Sequence, residues 1–269
     1  MPQLLWTSRL TSDGAKSPIS FAYRDDGHLT RWNRFLNVNG QDAFHVGNAC
    51  DTCGFFFERL AGPNCGLELD ELRTCLERVA DASNAEVLET LAQLLPKSDY
   101  TVAILNVCPE RVRPLERKDY FALEDVEYQD EFYLVGPPEP HNPATEYYRI
   151  NGRSGLTIDD SDYTAKAFDF IVPLIAGVAL DRERVDHYKD VLVRGQRPTV
   201  VALSLLDIKG PNLNDRVHWC LAHYVLDGHH KLAAAAETGS EIGLIAFIAH
   251  QHGVSSPEHV ARVLDTYSS

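Results

Sequence analysis

The residues best equipped for chemistry stand together in residues 224–242, YVLDGHHKLAAAAETGSEI. An apolar run ends in Asp227 and Gly228. His229, His230 and Lys231 follow, and then four consecutive alanines. Where a strand feeds straight into a helix, the first backbone N–H groups of the helix lack partners and the dipole there is positive. Such a turn is a ready site for phosphate. Gly228, without a side chain, lets backbone approach a ligand closely. His229, His230 and Lys231 add donors and charge, and Asp227 can bond the turn or accept from a ligand hydroxyl. On the pentapeptide alone a second reading stays open: Asp227 as a simple helix cap and the histidines as surface residues.

The elements that must position this turn are legible around it. FDFIVPLI, PTVVALSLLDI, HWCLAHYVLDG and IGLIAFI read as strands. LDRERVDHYKDVLVRG reads as a helix with Asp181 as its cap, Val185, Tyr188 and Leu192 on its inner face, and Gly195 as its stop. HKLAAAAETG is a second helix, thin enough to pack closely on a sheet and ended by Gly239. Ser256, Pro257 and Glu258 open a terminal helix, with serine as cap and proline in the first turn.

In that order, residues 168–248 resemble the ParB/sulfiredoxin-like fold, with DGHHK standing where the ParB-like free serine kinases carry Asp-Gly-His-His-Arg. The resemblance implies a nucleotide ligand (ATP, ADP or CTP) with magnesium, its phosphates held by Gly228, His229, His230 and Lys231. It implies a phosphotransferase acting on an unknown small molecule, or a nucleotide hydrolase. A non-catalytic nucleotide-gated switch and a metal-stabilised interaction module are the alternatives. Two departures bear on the reaction. His229 occupies the slot of the sulfiredoxin cysteine, so sulfinic acid reduction is not expected. The kinases' glutamate base has no aligned counterpart, which leaves Asp181 and Glu183, with Asp227, as candidate catalytic or magnesium-binding carboxylates. Lys231 for arginine keeps the charge but loses the bidentate fork. Phosphoryl transfer rests mostly on positioning and electrostatics, so these departures do not exclude it.

A second group of chemically capable residues lies earlier, in FHVGNACDTCGFFFERLAGPNC. Cys50 and Cys53 are spaced to grip one tetrahedral ion, and Cys65 is a candidate third ligand, with His45 or Cys75 as fourth. Zinc, a redox pair and plain buried thiols are the three readings. His218 and Cys220, two apart on a strand, share one face and could form a metal pair; His223 faces the other way.

The rest of the chain bounds the problem. A net charge of −14 argues against non-specific nucleic-acid binding, which needs a basic surface. No apolar run is long enough to span a bilayer, and MPQLLWTSRLTSDG lacks a basic region followed by an apolar stretch, so a cytoplasmic, membrane-free protein is expected. Homo-oligomerisation is open. Asp26-Gly27 and Asn39-Gly40 mark tight turns between short strands. Helices are predicted over 67–80 and 85–95, and YTVAILNVC reads as a strand buried on both faces. Prolines over 136–144 mark a rigid loop or linker. The expected architecture is α+β, with a mixed N-terminal domain over 1–155 and a ParB/sulfiredoxin-like domain over 156–269.

Overall fold

The apolar runs become strands and the capped periodic segments become helices in a computed structural model, which describes residues 2–24, 33–47, 56–60, 84–113, 119–121, 145–159, 164–209 and 217–267. In chain order the strands are β1 (Gln3–Ser12), β2 (Ile19–Tyr23), β3 (Asn33–Val38), β4 (Gln41–Gly47), β5 (Phe56–Arg59), β6 (Ser98–Val107) and β7 (Pro109–Val112). They continue as β8 (Tyr147–Ile150), β9 (Leu156–Asp159), β10 (Thr164–Pro173), β11 (Thr199–Lys209), β12 (Val217–Asp227) and β13 (Ile242–Ala249). The helices are α1 (Ala85–Ala92), α2 (Arg182–Val193), α3 (His229–Thr238) and α4 (Pro257–Asp265).

Among the described residues, one nine-stranded mixed sheet runs β1-β6-β13-β11-β12-β10-β8-β7, with β9 paired to β10. β10 lies parallel to β12 and β11 parallel to β13, while β11 and β12 are antiparallel. A second, antiparallel sheet runs β2-β3-β4-β5. Asn39 and Gly40, both at positive φ (52° and 76°), make the two-residue turn between β3 and β4.

The large sheet is covered on both faces. Val102, Phe170, Leu203, Tyr224 and Phe247 pack toward Leu36, Phe44 and Val46 of the small sheet and Leu88 and Leu91 of α1. Ala103, Leu105, Trp219, Leu221 and Ile248 pack toward Val185, Leu232, Ala234, Val260 and Leu264 of the helices. Central strands buried on both sides need continuous apolar sequence, which is why β11, β12 and β13 do not alternate. Each fully buried Phe or Leu stabilises by about 1.5–3 kcal/mol relative to exposure. One charged pair crosses the inter-sheet core: Arg34 of β3 donates to both carboxylate oxygens of Asp207 in β11, at 3.0 and 2.5 Å, with both side chains 1% exposed.

The helix boundaries follow the caps. Asp181 accepts from the Glu183 backbone N–H at the start of α2, and Gly195 (φ +78°) follows its end. Ser256 and His259 exchange capping bonds at the start of α4, with Pro257 in the first turn. The helix predicted over 85–95 is α-helical only to Ala92. Gln93, Leu94 and Leu95 then bond back three residues, to Thr90, Leu91 and Ala92, tightening the last turn before Pro96.

The division expected near residue 155 does not separate two sheets. β1 and β6, from before it, are hydrogen-bonded into the sheet beside β13, from after it. The helix predicted over 67–80, the turn at Asp26-Gly27, the proline-rich 136–144 and the cysteines Cys50, Cys53, Cys65 and Cys75 lie outside the described residues.

Candidate functional site

β12 ends at Asp227 and α3 begins at His229, so a single residue, Gly228, makes the junction. Its φ of +94° is left-handed. A Cβ there would lie 3.1 Å from the Val200 Cα and 3.4 Å from the Thr199 carbonyl. The glycine is thus needed for backbone packing of the turn against β11 before any ligand is considered. Ala233, Ala234 and Ala235 are buried against the sheet, as a thin helix should be.

Opposite the turn lies a strap, residues 174–181, between β10 and α2. The two histidines tie it down. The His229 ring accepts from the Leu174 N–H at 3.1 Å, and its other nitrogen bonds the Val225 carbonyl. The His230 ring accepts from the Asp181 N–H at 3.2 Å. Arg59, from β5, donates to the Pro173 carbonyl at 3.0 Å and to the Leu174 carbonyl. The Arg111–Glu146 ion pair lies against Gly177 in the middle of the strap. Val178 at its tip is 96% exposed.

Electrostatically the turn differs from a simple cluster of cations. Burial holds the His229 ring neutral, with its pKa pushed down to about 3. His230 is also pushed below the usual histidine value, by burial and by the charge of Arg184. Both rings therefore act as neutral acceptors toward the strap. Lys231 is buried, donating to the Thr199 carbonyl at 3.1 Å, with the Asp227 carboxylate 4.0 Å away. The buried Thr199 hydroxyl has no hydrogen-bond partner among the described residues.

The expected site residues are therefore partly gathered. Asp181, Asp227, Gly228, His229, His230 and Lys231 converge, and the charges of Asp181 and Asp227 both bear on His230. Glu183 is exposed on the first turn of α2, and its side chain forms no hydrogen bond or ion pair with the turn. Arg184 was not singled out from the sequence. It is exposed on the same turn, makes no ion pair with a described residue, and its charge reaches His230. Its signal was present in the spacing of DRER, which sets it three residues after the cap that His230 bonds. Arg182, by contrast, is engaged with Glu237, which Lys189 also contacts and whose carboxyl is held down to about 2 by these cations.

His218 and Cys220 do share a face, and both turn toward Tyr120. The phenol lies 2.8 Å from the His218 ring and 3.9 Å from the Cys220 sulfur. His223 faces the other way and bonds the Ser204 hydroxyl at 2.8 Å. Among the described residues no group of three or more His, Cys, Asp and Glu is arranged to hold a metal ion, and no helix is long and apolar enough to cross a membrane.

Comparison with protein-family models, with curated proteins and with solved structures found no match to this chain.

Proposed function

We propose that the chain is a nucleotide-binding enzyme with a ParB/sulfiredoxin-like domain over 156–269, acting as a small-molecule phosphotransferase or a nucleotide hydrolase. The observation that carries this reading is the one-residue junction at Gly228, which puts the N-terminus of α3 beside the strap and beside the uncommitted Arg184. In this reading the nucleotide phosphates sit at the start of α3, with the dipole and backbone donors supplying part of the attraction. Arg184 supplies the accessible positive charge that the neutral imidazoles do not. Asp181 and Asp227 are the carboxylates this reading assigns to magnesium, which prefers oxygen ligands. Lys231 fixes the turn from below through the Thr199 carbonyl.

Calorimetric titration with ATP, ADP, CTP and GTP, each with magnesium, tests the reading. Saturable binding by one nucleotide is expected. Arg184→Ala should weaken it by about 10- to 100-fold, the worth of a hydrogen bond to a charged group. Binding unchanged in that variant, or no binding by any nucleotide, overturns the proposal.

The tie between turn and strap favours one further reading, a nucleotide-gated switch. His229 and His230 hold opposite ends of the strap, so a ligand that drew His230 away would release the Asp181 end. Binding without product, accompanied by changed proteolysis within 174–181, distinguishes the switch from the enzyme.

A further inference from the structure

The two edges of the nine-stranded sheet are built differently. β7 closes one edge with four residues, Pro109–Val112, of which Pro109 offers no N–H and Glu110 and Arg111 are charged. Short length, proline and charge are the usual guards of an open edge. β1 forms the other edge with ten residues, Gln3–Ser12, and has no proline, no acidic residue and one charge, Arg9. Among the described residues no strand pairs with its outer side. Every second residue of such an edge points its N–H and C=O away from the sheet, free to continue the ladder.

Most of this edge is also regular. Leu5 has no residue opposite it in β6, which puts a bulge near the start of the strand. From Trp6 to Ser12 the pairing with β6 runs without a break. Trp6 and Leu10 pack in part against the inter-sheet core, while Thr7, Arg9 and Thr11 are exposed on the opposite face.

Charge and symmetry select the partner. With a net charge of −14, two copies of the chain repel each other over much of their surfaces. β1 brings no carboxylate of its own to a contact. Antiparallel pairing of identical strands about a two-fold axis sets one residue opposite its own copy. Centring on Arg9 opposes two arginines, which is destabilising. Centring on Thr7 sets Arg9 against Leu5 at the bulge. Centring on Ser8 sets Trp6 opposite Leu10 on the core face, twice by symmetry, and Arg9 opposite Thr7 on the other face. We propose that β1 pairs antiparallel with β1 of a second copy of this chain, centred on Ser8, so that the two large sheets continue into one.

Sedimentation equilibrium of the purified chain, from micromolar to submillimolar concentration, is the test. A reversible monomer–dimer equilibrium is expected. The sign of a charge placed at Thr7, exposed and opposite Arg9 of the second copy, reads the register. Thr7→Glu should tighten the dimer and Thr7→Lys should weaken it, each by about 2- to 30-fold because the pair occurs twice. Net charge alone predicts the reverse, since glutamate adds to the acidic excess and lysine reduces it. Adding Arg9→Glu to Thr7→Lys restores an opposite-charge pair and should recover the dimer. The unfolding midpoint at low concentration, where the chain is monomeric, should be nearly unchanged in all three variants, which separates pairing from folding. A monomer at every concentration overturns the proposal, as does a dimer that Thr7→Lys leaves equally tight or that Thr7→Glu weakens.

Discussion

Replacing Gly228 by alanine separates what the fold demands of this glycine from what a ligand would. Left-handed backbone costs a residue with a Cβ about 1–2 kcal/mol. At Gly228 the added Cβ also meets the Val200 Cα and Cγ2, both at 3.1 Å. Val200 belongs to β11, which is hydrogen-bonded to β12 on one side and β13 on the other, so its backbone has little room to give. Overpacking of that kind adds about 1–3 kcal/mol. The expected loss is therefore about 2–5 kcal/mol. Gly239, which ends α3, provides the control. Its φ is +64°, yet a Cβ there meets nothing within 4 Å, so Gly239→Ala should show the backbone cost alone. Urea unfolding of both variants measures the difference, with an unchanged slope as the sign that only stability has moved. Adding Val200→Ala to Gly228→Ala takes away the crowding methyl Cγ2 but leaves the Val200 backbone where it was, so recovery should be partial. A Gly228→Ala loss no greater than that of Gly239→Ala would refute the packing argument and return the glycine to a ligand-binding role.

Other consequences of the structure are open to direct measurement. His229 and His223 are buried neutral, with pKa values pushed down to about 3 and about 4 from the ordinary 6.5. The unfolded chain therefore binds more protons below pH 6.5, so stability is full above that value and falls as pH drops toward 4 and then 3, by up to about 1.4 kcal/mol per pH unit for each ring. Urea midpoints that stay constant between about pH 7 and 5 would contradict this, and His229→Gln should shallow the slope by one proton. Arg34→Met should cost about 3–5 kcal/mol by stranding the buried Asp207 carboxylate. Arg34→Met with Asp207→Leu should recover only part of that in the same unfolding assay, because Asp207 also accepts from the Val254 N–H. Ser256→Ala should lower stability by about 1 kcal/mol through loss of the α4 cap, read as a shift in melting midpoint.

The sequence was most legible where local rules and tertiary packing agree. Asp181, Gly195, Gly239 and the Ser256-Pro257 start all mark helix ends that the structure keeps, because a cap or a left-handed glycine acts within a few residues of itself. The largely apolar character of residues 100–108 likewise foretold burial on both faces, which holds from Val102 to Val107. What it did not foretell was pairing partners. β6 lies beside β13, more than a hundred residues away, and nothing in either segment encodes that neighbour. The site shows the same limit. The convergence of Asp227, Gly228, His230 and Lys231 followed from adjacency in the chain, but the direction of the side chains did not. Lys231 turns inward to Thr199 and the histidines turn toward the strap, since each donor or acceptor buried there must find a partner.

That inward turn changes what the histidines can contribute. A phosphate arriving at the start of α3 finds no N–H on the ring nitrogen with which each histidine already accepts from the strap. Drawing His229 toward the ligand would leave the buried Leu174 N–H unpaired, at a cost of about 1–3 kcal/mol, and would require charging a ring that burial holds neutral. His230 is half-buried, so its release from Asp181 exposes that N–H to water and costs less. The two adjacent histidines thus have unequal tasks: His229 belongs to the fold, and His230 is the ring able to exchange a strap contact for a ligand. Substitution separates them in one comparison. His229→Ala should lower stability with or without nucleotide, whereas His230→Ala should leave the unfolding midpoint nearly unchanged and act on nucleotide affinity. Equal stability losses in the two variants would place both rings in the fold and leave Arg184 and the α3 N-terminus as the whole of the proposed phosphate site.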